Sequence, residues 1–231
     1  MSSDLIANIH KNKAHDTYFT LTNDDLVALF PNNPGRILDI GCAEGRLGED
    51  IIKLKHPAEY IGIEIVPSIA EIAKTRLDDV LVGQAEEILE TIETGSFNWV
   101  ILADSLEHTI DPWTVIKEVS RILPSGGRLL VSMPNVRNLN IILDLFKNGN
   151  WTYTSHGILD QGHLRFFTKS SILNLITSNG FSVQSCRSNP RNRWKKLPGK
   201  TISKLLSWFI GKPSAYEEFI TVQWIIVAEK K

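Results

Sequence analysis

Apolar residues follow two rhythms along this chain. Short, nearly continuous apolar runs alternate with longer stretches in which apolar residues recur every three or four positions. The runs Arg36–Ile40, Tyr60–Glu64, Val80–Gln84, Gly95–Ala103 and Arg128–Met133 have the length and β-branched content of buried strands. Between them, Leu47, Ile51, Ile52 and Leu54 mark one helical face, and Ile69, Ala70, Ile72, Ala73 and Leu77 mark the next, opened by Pro67. Ile88, Leu89 and Ile92, and then Trp113, Ile116, Val119, Ile122 and Leu123 behind Asp111-Pro112, continue the series. Strands alternating with amphipathic helices predict βαβ units and an α/β fold.

The flanks complete the pattern. Residues 1–35 read as a polar helical segment, with Asn23-Asp-Asp starting a helix and Pro31-Asn-Asn-Pro-Gly35 stopping it. Tyr18 and Phe19 precede that helix. Thr168 caps a helix carrying Ile172, Leu173, Leu175 and Ile176, which Asn179-Gly180 ends. Phe181–Cys186 then reads as a sixth strand and Glu218–Ala228 as a last one, antiparallel at the sheet edge. The whole of 1–231 reads as one domain.

Candidate chemistry enters at the first strand–helix joint, Arg36-Ile-Leu-Asp-Ile-Gly-Cys-Ala-Glu-Gly-Arg-Leu-Gly48. Gly41 and Gly45 let the backbone turn tightly and approach a ligand without an intervening Cβ. The spacing is not Gly-x-Gly-x-x-Gly, because positions 43 and 46 hold Ala43 and Arg46. Asp39 puts a carboxylate at the strand end, where it would repel a pyrophosphate and attract an amino group or a sulfonium. Glu64 ends the second strand 23 residues beyond Gly41, the place of a ribose-binding acid in nucleotide-binding α/β folds; a solvated strand-end acid is the plainer alternative. Gln84 and Ala85, after the third strand, offer an amide and a backbone N–H to a base edge.

This succession resembles motif I and the later strand ends of the class I S-adenosylmethionine (SAM) methyltransferases. Asp104-Ser-Leu-Glu-His108 after the fourth strand and Leu123-Pro-Ser-Gly-Gly127 before the fifth are similar to the ubiquinone-pathway O-methyltransferases and their relatives. The resemblance covers residues 35–185 and implies a doubly wound, seven-stranded, mostly parallel Rossmann-like sheet of order 3-2-1-4-5-7-6 with the last strand antiparallel. It implies S-adenosyl-L-methionine as cofactor and S-adenosylhomocysteine as product, lying across the carboxyl ends of strands 1 and 4. The cofactor would be held by Asp39, Gly41, Cys42, Ala43, Gly45, Glu64, Ile65, Gln84, Ala85, Asp104 and Ser105. Tyr18 and Phe19 either pack on the surface or lie over the cofactor.

Residues 134–167 form a long connection, and its amphipathic piece Ile141, Ile142, Leu145 and Phe146 predicts a lid helix over the acceptor. Asp160-x-x-His163-x-Arg165-Phe-Phe-Thr168 is similar to a run in methyltransferases of bacterial polysaccharide and lipid-linked glycan pathways. The acceptor implied is a hydroxyl of a sugar or lipid-linked glycan; the alternatives are a small-molecule O-methyltransferase of quinone or natural-product type and a non-catalytic SAM-binding regulatory protein. His163, then His108, are the candidate general bases, because a neutral imidazole accepts a proton near pH 7. The alternative is that His163 bonds Asp160 and pins the lid while Glu107 and His108 brace the cofactor loop. A metal site from Glu107, His108 and His163 is conceivable, but none is expected.

Charge separates one further stretch. The chain has 25 Lys and Arg against 26 Asp and Glu, a net of −1, yet residues 187–212 hold eight basic residues and no acidic one. The remainder is therefore −1 − 8 = −9. Within the insertion 187–217, Ile202, Leu205, Leu206, Phe209 and Ile210 recur at helical spacing, with Trp194 and Trp208 nearby. That predicts either a peripheral helix on an anionic membrane or a helix packed on the domain with a basic rim. Nucleic acid is not expected as a partner, since the rest of the chain is acidic and no RNA-binding motif is present. Two cysteines, Cys42 and Cys186, make neither a disulfide framework nor a zinc pattern. No apolar run approaches the ~20 residues of a membrane span, and a cytoplasmic protein is expected.

Overall fold

The structure is a computed structural model that describes residues 23–190 and 199–231. The expectations for residues 1–22, with Tyr18 and Phe19, and for Trp194 lie outside the described residues. Seven strands form one sheet: β1 (Arg36–Ile40), β2 (Glu59–Glu64), β3 (Asp79–Val82), β4 (Trp99–Ala103), β5 (Arg128–Pro134), β6 (Phe181–Pro190) and β7 (Thr221–Lys230). Their order is β3-β2-β1-β4-β5-β7-β6, the order expected from the resemblance. The pairs among β1 to β5 are parallel, and β7 runs antiparallel to both β5 and β6.

Strand alternation divides the core between the two faces of the sheet. Leu38, Ile40, Val100, Leu102, Leu129 and Val131 point to one side, where α4 (Ala85–Thr91), α5 (Pro112–Ile122) and α7 (Lys169–Ser178) cover them. Ile37, Tyr60, Ile101, Leu130 and Ile225 point to the other, beneath α1 (Asn23–Val27), α2 (Arg46–Lys55) and α3 (Pro67–Ala73). Each fully buried aliphatic side chain contributes about 1.5–3 kcal/mol. These two layers fix the strand ends from which the site is built. Caps hold the helices in register: Asp111 accepts from the N–H groups of Trp113 and Thr114, both at 3.1 Å, and Thr168 forms a capping box with Ser171.

The chain departs from expectation near its end. β6 continues past Cys186 to Pro190, because Arg187, Ser188 and Asn189 keep pairing with Ile225, Trp224 and Gln223. Glu218 does not start the last strand. It lies in α9 (Ala215–Ile220), where Ala215 and Phe219, four apart, bury against Leu139, and where Arg137 pairs with the Glu218 carboxylate at 2.7 Å. The amphipathic spacing after the basic run is α8 (Gly199–Phe209), with Ile210 just beyond its end. The lid segment holds α6 (Leu139–Asn148), capped by Asn138, followed by an irregular stretch to Phe167.

Candidate functional site

The glycine turn after β1 is held by β2. Gly41 and Cys42 both donate to the Ile63 carbonyl, at 2.8 and 3.1 Å, so the β1–β2 ladder extends past the strand end. Gly41 has φ 79°, and a Cβ there would lie 2.7 Å from the Ser105 Cβ. Ala43 also sits in the left-handed region, at φ 49°. Its N–H donates to Glu64 Oε2 at 3.1 Å, while Glu64 Oε1 accepts from Val66 N at 2.8 Å. Each carboxylate oxygen retains a second lone pair, so this anchored acid can still accept a diol. Burial raises the Glu64 carboxyl, against the lowering effect of those N–H donors.

A cavity of about 220 Å³ opens over these strand ends. Gly41, Ala43, Glu64, Ile65, Gln84, Ala85, Asp104, Ser105 and His108 line it, together with Ile69, Gly83, Glu86, Thr109 and Ile110. It is walled by aliphatic groups from β2 and α3, has the Glu64 carboxylate on one wall and has Asp104 and Ser105 on another. Among the described residues, the buried Ser105 hydroxyl has no hydrogen-bond partner, a donor and acceptor left for a ligand. This donor set fits an adenosyl-amino-acid cofactor: an acid for a ribose diol, an amide for a base edge, and polar groups for the amino-acid end.

Three of the expected cofactor residues lie behind the cavity and do not line it. Asp39 shares parity with Ile37 and so points under α2 and α3, where its carboxylate accepts the Tyr60 hydroxyl at 2.8 Å. Burial, opposed by the Tyr60 bond and reinforced by the charge of Glu64, pushes its carboxyl up to about 7. Cys42 turns its sulfur toward Gly62, where a Cβ would lie 2.5 Å from it, and burial pushes its thiol far up, so it fills space as a small apolar group. Gly45, at φ 75°, caps the start of α2.

Asp104 is held from across the sheet. It adopts φ 52°, and both its carboxylate oxygens lie 2.6 Å from the Gln223 side-chain amide of β7. Burial, opposed by the Gln223 hydrogen bond, pushes it up to about 6. Gln223 and Glu86 brace the cavity through contacts that the sequence does not signal. Glu86 accepts from the N–H groups of Ile110 and Asp111, at 2.9 and 3.2 Å, and so fixes the loop that closes the cavity. An acid in a helix's first turn carries no sign of such a partner 24 residues away.

The 134–167 connection brings the two histidines together. Leu164 and Arg165 donate to the Glu107 carbonyl, docking that connection on the 3-10 turn Leu106–His108. His108 Nδ1 lies 2.8 Å from the Gly162 carbonyl, and His163 Nδ1 lies 3.0 Å from the Ile158 carbonyl. A carbonyl only accepts, so each Nδ1 carries a proton, and His163 Nε2 lies 3.9 Å from the buried Glu107 Oε1. The rings meet edge to face with centroids 4.8 Å apart. His108 faces the cavity just described, and His163 faces an adjoining hollow lined also by Tyr153, Gln161 and Leu164. The expected Asp160 contact is made by the His163 backbone, whose N–H donates to the Asp160 carbonyl. Glu107, His108 and His163 place ligand atoms within 4.8 Å of one another, close enough to share a cation.

Comparison with known proteins accords with this site. The family described as "Methyltransferase domain" matches residues 14–185, and the chain belongs to that family. Its class is that of the SAM-dependent methyltransferases, with SAM as cofactor. More particularly, it is similar to a ubiquinone biosynthesis O-methyltransferase of Xanthomonas oryzae, 33% identical over 105 residues, 43% of either chain. A protein of the same name from Xanthomonas campestris is 32% identical over 117 residues, 48% of either. The chain thus spans less than half the length of these curated relatives. A SAM-dependent methyltransferase from Archaeoglobus fulgidus shares the fold, with a TM-score of 0.64 at 17% identity over 99% of this chain and 95% of that one. The [4+2]-cyclase SpnF shares it too, with a TM-score of 0.66 at 17% identity over 100% and 97%.

Proposed function

We propose that the protein transfers the SAM methyl group to a hydroxyl of a sugar or lipid-linked glycan. The observation that supports this most is the pair of imidazoles between two hollows, His108 beside the larger cavity and His163 beside the hollow lined by Tyr153, Gln161 and Leu164. SAM supplies an electrophilic methyl on a sulfonium. The chain's own task is then alignment, exclusion of water and removal of one proton. Held geometry contributes up to ~7–11 kcal/mol in such displacements, and a positioned base adds ~10²–10⁴ in rate. His163 Nε2 takes the acceptor proton in this reading, with His108 second in line. Tyr153, Trp151 and Phe166 form an aromatic wall beside it, a surface on which a pyranose face or a phenol can lie. The relatives' names favour a small quinone-type phenol as the second acceptor class.

We place the protein in the cytoplasm, with the basic 187–212 stretch touching the inner face of an anionic membrane. Among the described residues, no helix is long and apolar enough to cross a membrane. Release of S-adenosylhomocysteine from SAM, assayed with lipid-linked saccharides and with simple catechols in parallel, separates the acceptor classes. His163→Gln is expected to lower kcat by ~10²–10⁴ with little change in cofactor affinity. Undiminished turnover in both His163→Gln and His108→Gln overturns the base assignment. Turnover abolished by EDTA and restored by a divalent cation would assign the two imidazoles to a metal instead.

A further inference from the structure

We infer that α6 and α8 together form a docking face for an anionic lipid bilayer. Helix α8 is packed inside out: Ser203 and Ser207 are buried, whereas Leu205, Trp208 and Phe209 face solvent, the last two 76% and 84% exposed. A helix settled on its own domain turns its large apolar residues inward, so this face is built for something else. Helix α6 turns Leu139 inward but also exposes Leu145 and Phe146, the latter 85% exposed. The two helices share one small cluster, on which Ile142 and Leu143 of α6 and Leu206 of α8 pack with Leu139, Ala215 and Phe219.

Charge selects the occupant. Eight basic residues and no acidic one lie in 187–212, and exposed Lys204 and Lys212 stand on or beside α8, with exposed Lys147 at the end of α6. Asp144, bonded by Asn148, is the opposing charge on α6. A second copy of this chain would bring two such basic stretches together, at a repulsive cost. An anionic surface instead attracts each lysine, and interfacial Trp and Phe suit the headgroup boundary. The face deepens the lipid-linked acceptor reading above, on which it rests: α6 follows β5, at the same sheet end as Asp104, so a bilayer held there delivers a lipid-borne hydroxyl to the His163 side.

The test is co-sedimentation of the full chain with vesicles of phosphatidylcholine alone and of equal parts phosphatidylcholine and phosphatidylglycerol. The wild type is expected to sediment with the anionic vesicles and to be released by high salt. Trp208→Glu combined with Phe209→Glu is expected to weaken partitioning by at least roughly ten-fold, with S-adenosylhomocysteine affinity unchanged. Both side chains are largely exposed, and retained cofactor affinity verifies the fold. Phe146→Glu should weaken partitioning independently. Equal sedimentation of wild type and double variant, or none by the wild type, overturns the proposal. So does a wild-type dimer in light scattering that the double variant converts to monomer. Failure of vesicle binding alongside normal methylation of a soluble acceptor removes the docking face alone, whereas failure of cofactor binding removes the methyltransferase reading.

Discussion

Asp39→Asn isolates the cost of the buried carboxyl beneath the cofactor turn. The asparagine keeps an oxygen for the Tyr60 hydroxyl, 2.8 Å away in the wild type, and removes the ionisation. Burial, with Tyr60 opposing and Glu64 adding, raises the Asp39 carboxyl from 3.8 to about 7. Because the folded value lies above the unfolded one, the folded state holds this proton more tightly. The associated stability is complete below about pH 3.8 and is lost as pH rises through about 7. Between about pH 5 and pH 8 the loss comes to about 2–3 kcal/mol for one group shifted this far, or a melting shift of about 5–10 °C at this chain length. Asp104, raised to about 6, slopes the same way in both proteins and cancels in the difference. Thermal and urea unfolding of both proteins across that range is the assay. The variant is expected to gain on the wild type steadily as pH rises. Parallel pH profiles, or a variant that loses ground toward pH 8, would refute the assignment of a raised, buried carboxyl at Asp39.

Gly41→Ala puts a Cβ 2.7 Å from that of Ser105 at φ 79°; a left-handed L-residue costs ~1–2 kcal/mol, and S-adenosylhomocysteine affinity is expected to fall roughly ten-fold or more, by calorimetry. Ala43→Gly acts in the opposite sense at φ 49°: relief of that strain, offset by added chain freedom, should raise stability by up to about 1 kcal/mol in urea unfolding, and a loss would contradict the turn geometry. Gln223→Leu strips the amide from both Asp104 oxygens. A loss of ~1–3 kcal/mol is expected, growing with pH as the bare carboxyl ionises, and an unchanged melting curve would show that the clamp contributes nothing.

The strands, the order of elements and most cavity residues were legible because each has a local signature. An apolar run, a glycine after it and an acid at its end are visible within a few positions, and Gly41, Glu64, Gln84, Ala85 and Asp104 do meet in one cavity. The side of the sheet that Asp39 faces was equally local, since it shares parity with Ile37. The expectation that it reaches the cofactor passed over that alternation. Contacts across long sequence separations were not legible. Gln223 meets Asp104 across 119 residues, and Glu86 meets Ile110 across 24. The end of β6 and the start of β7 misled for a related reason. Ser188 and Asn189 have low intrinsic strand preference and are held by pairing with β7, while Phe219 looks like strand but is drawn into α9 by the cluster around Leu139.

The cofactor site is tested most directly by calorimetric titration of the protein with SAM, S-adenosylhomocysteine and NAD, repeated with Glu64→Gln. Saturable binding of both adenosyl-sulfur compounds is expected, with no response to NAD and with affinity weakened roughly 10–100-fold in the variant, the worth of a charged hydrogen bond. Binding of NAD without either sulfur compound, or affinity indifferent to Glu64→Gln, would contradict the cofactor site drawn over β1 and β2.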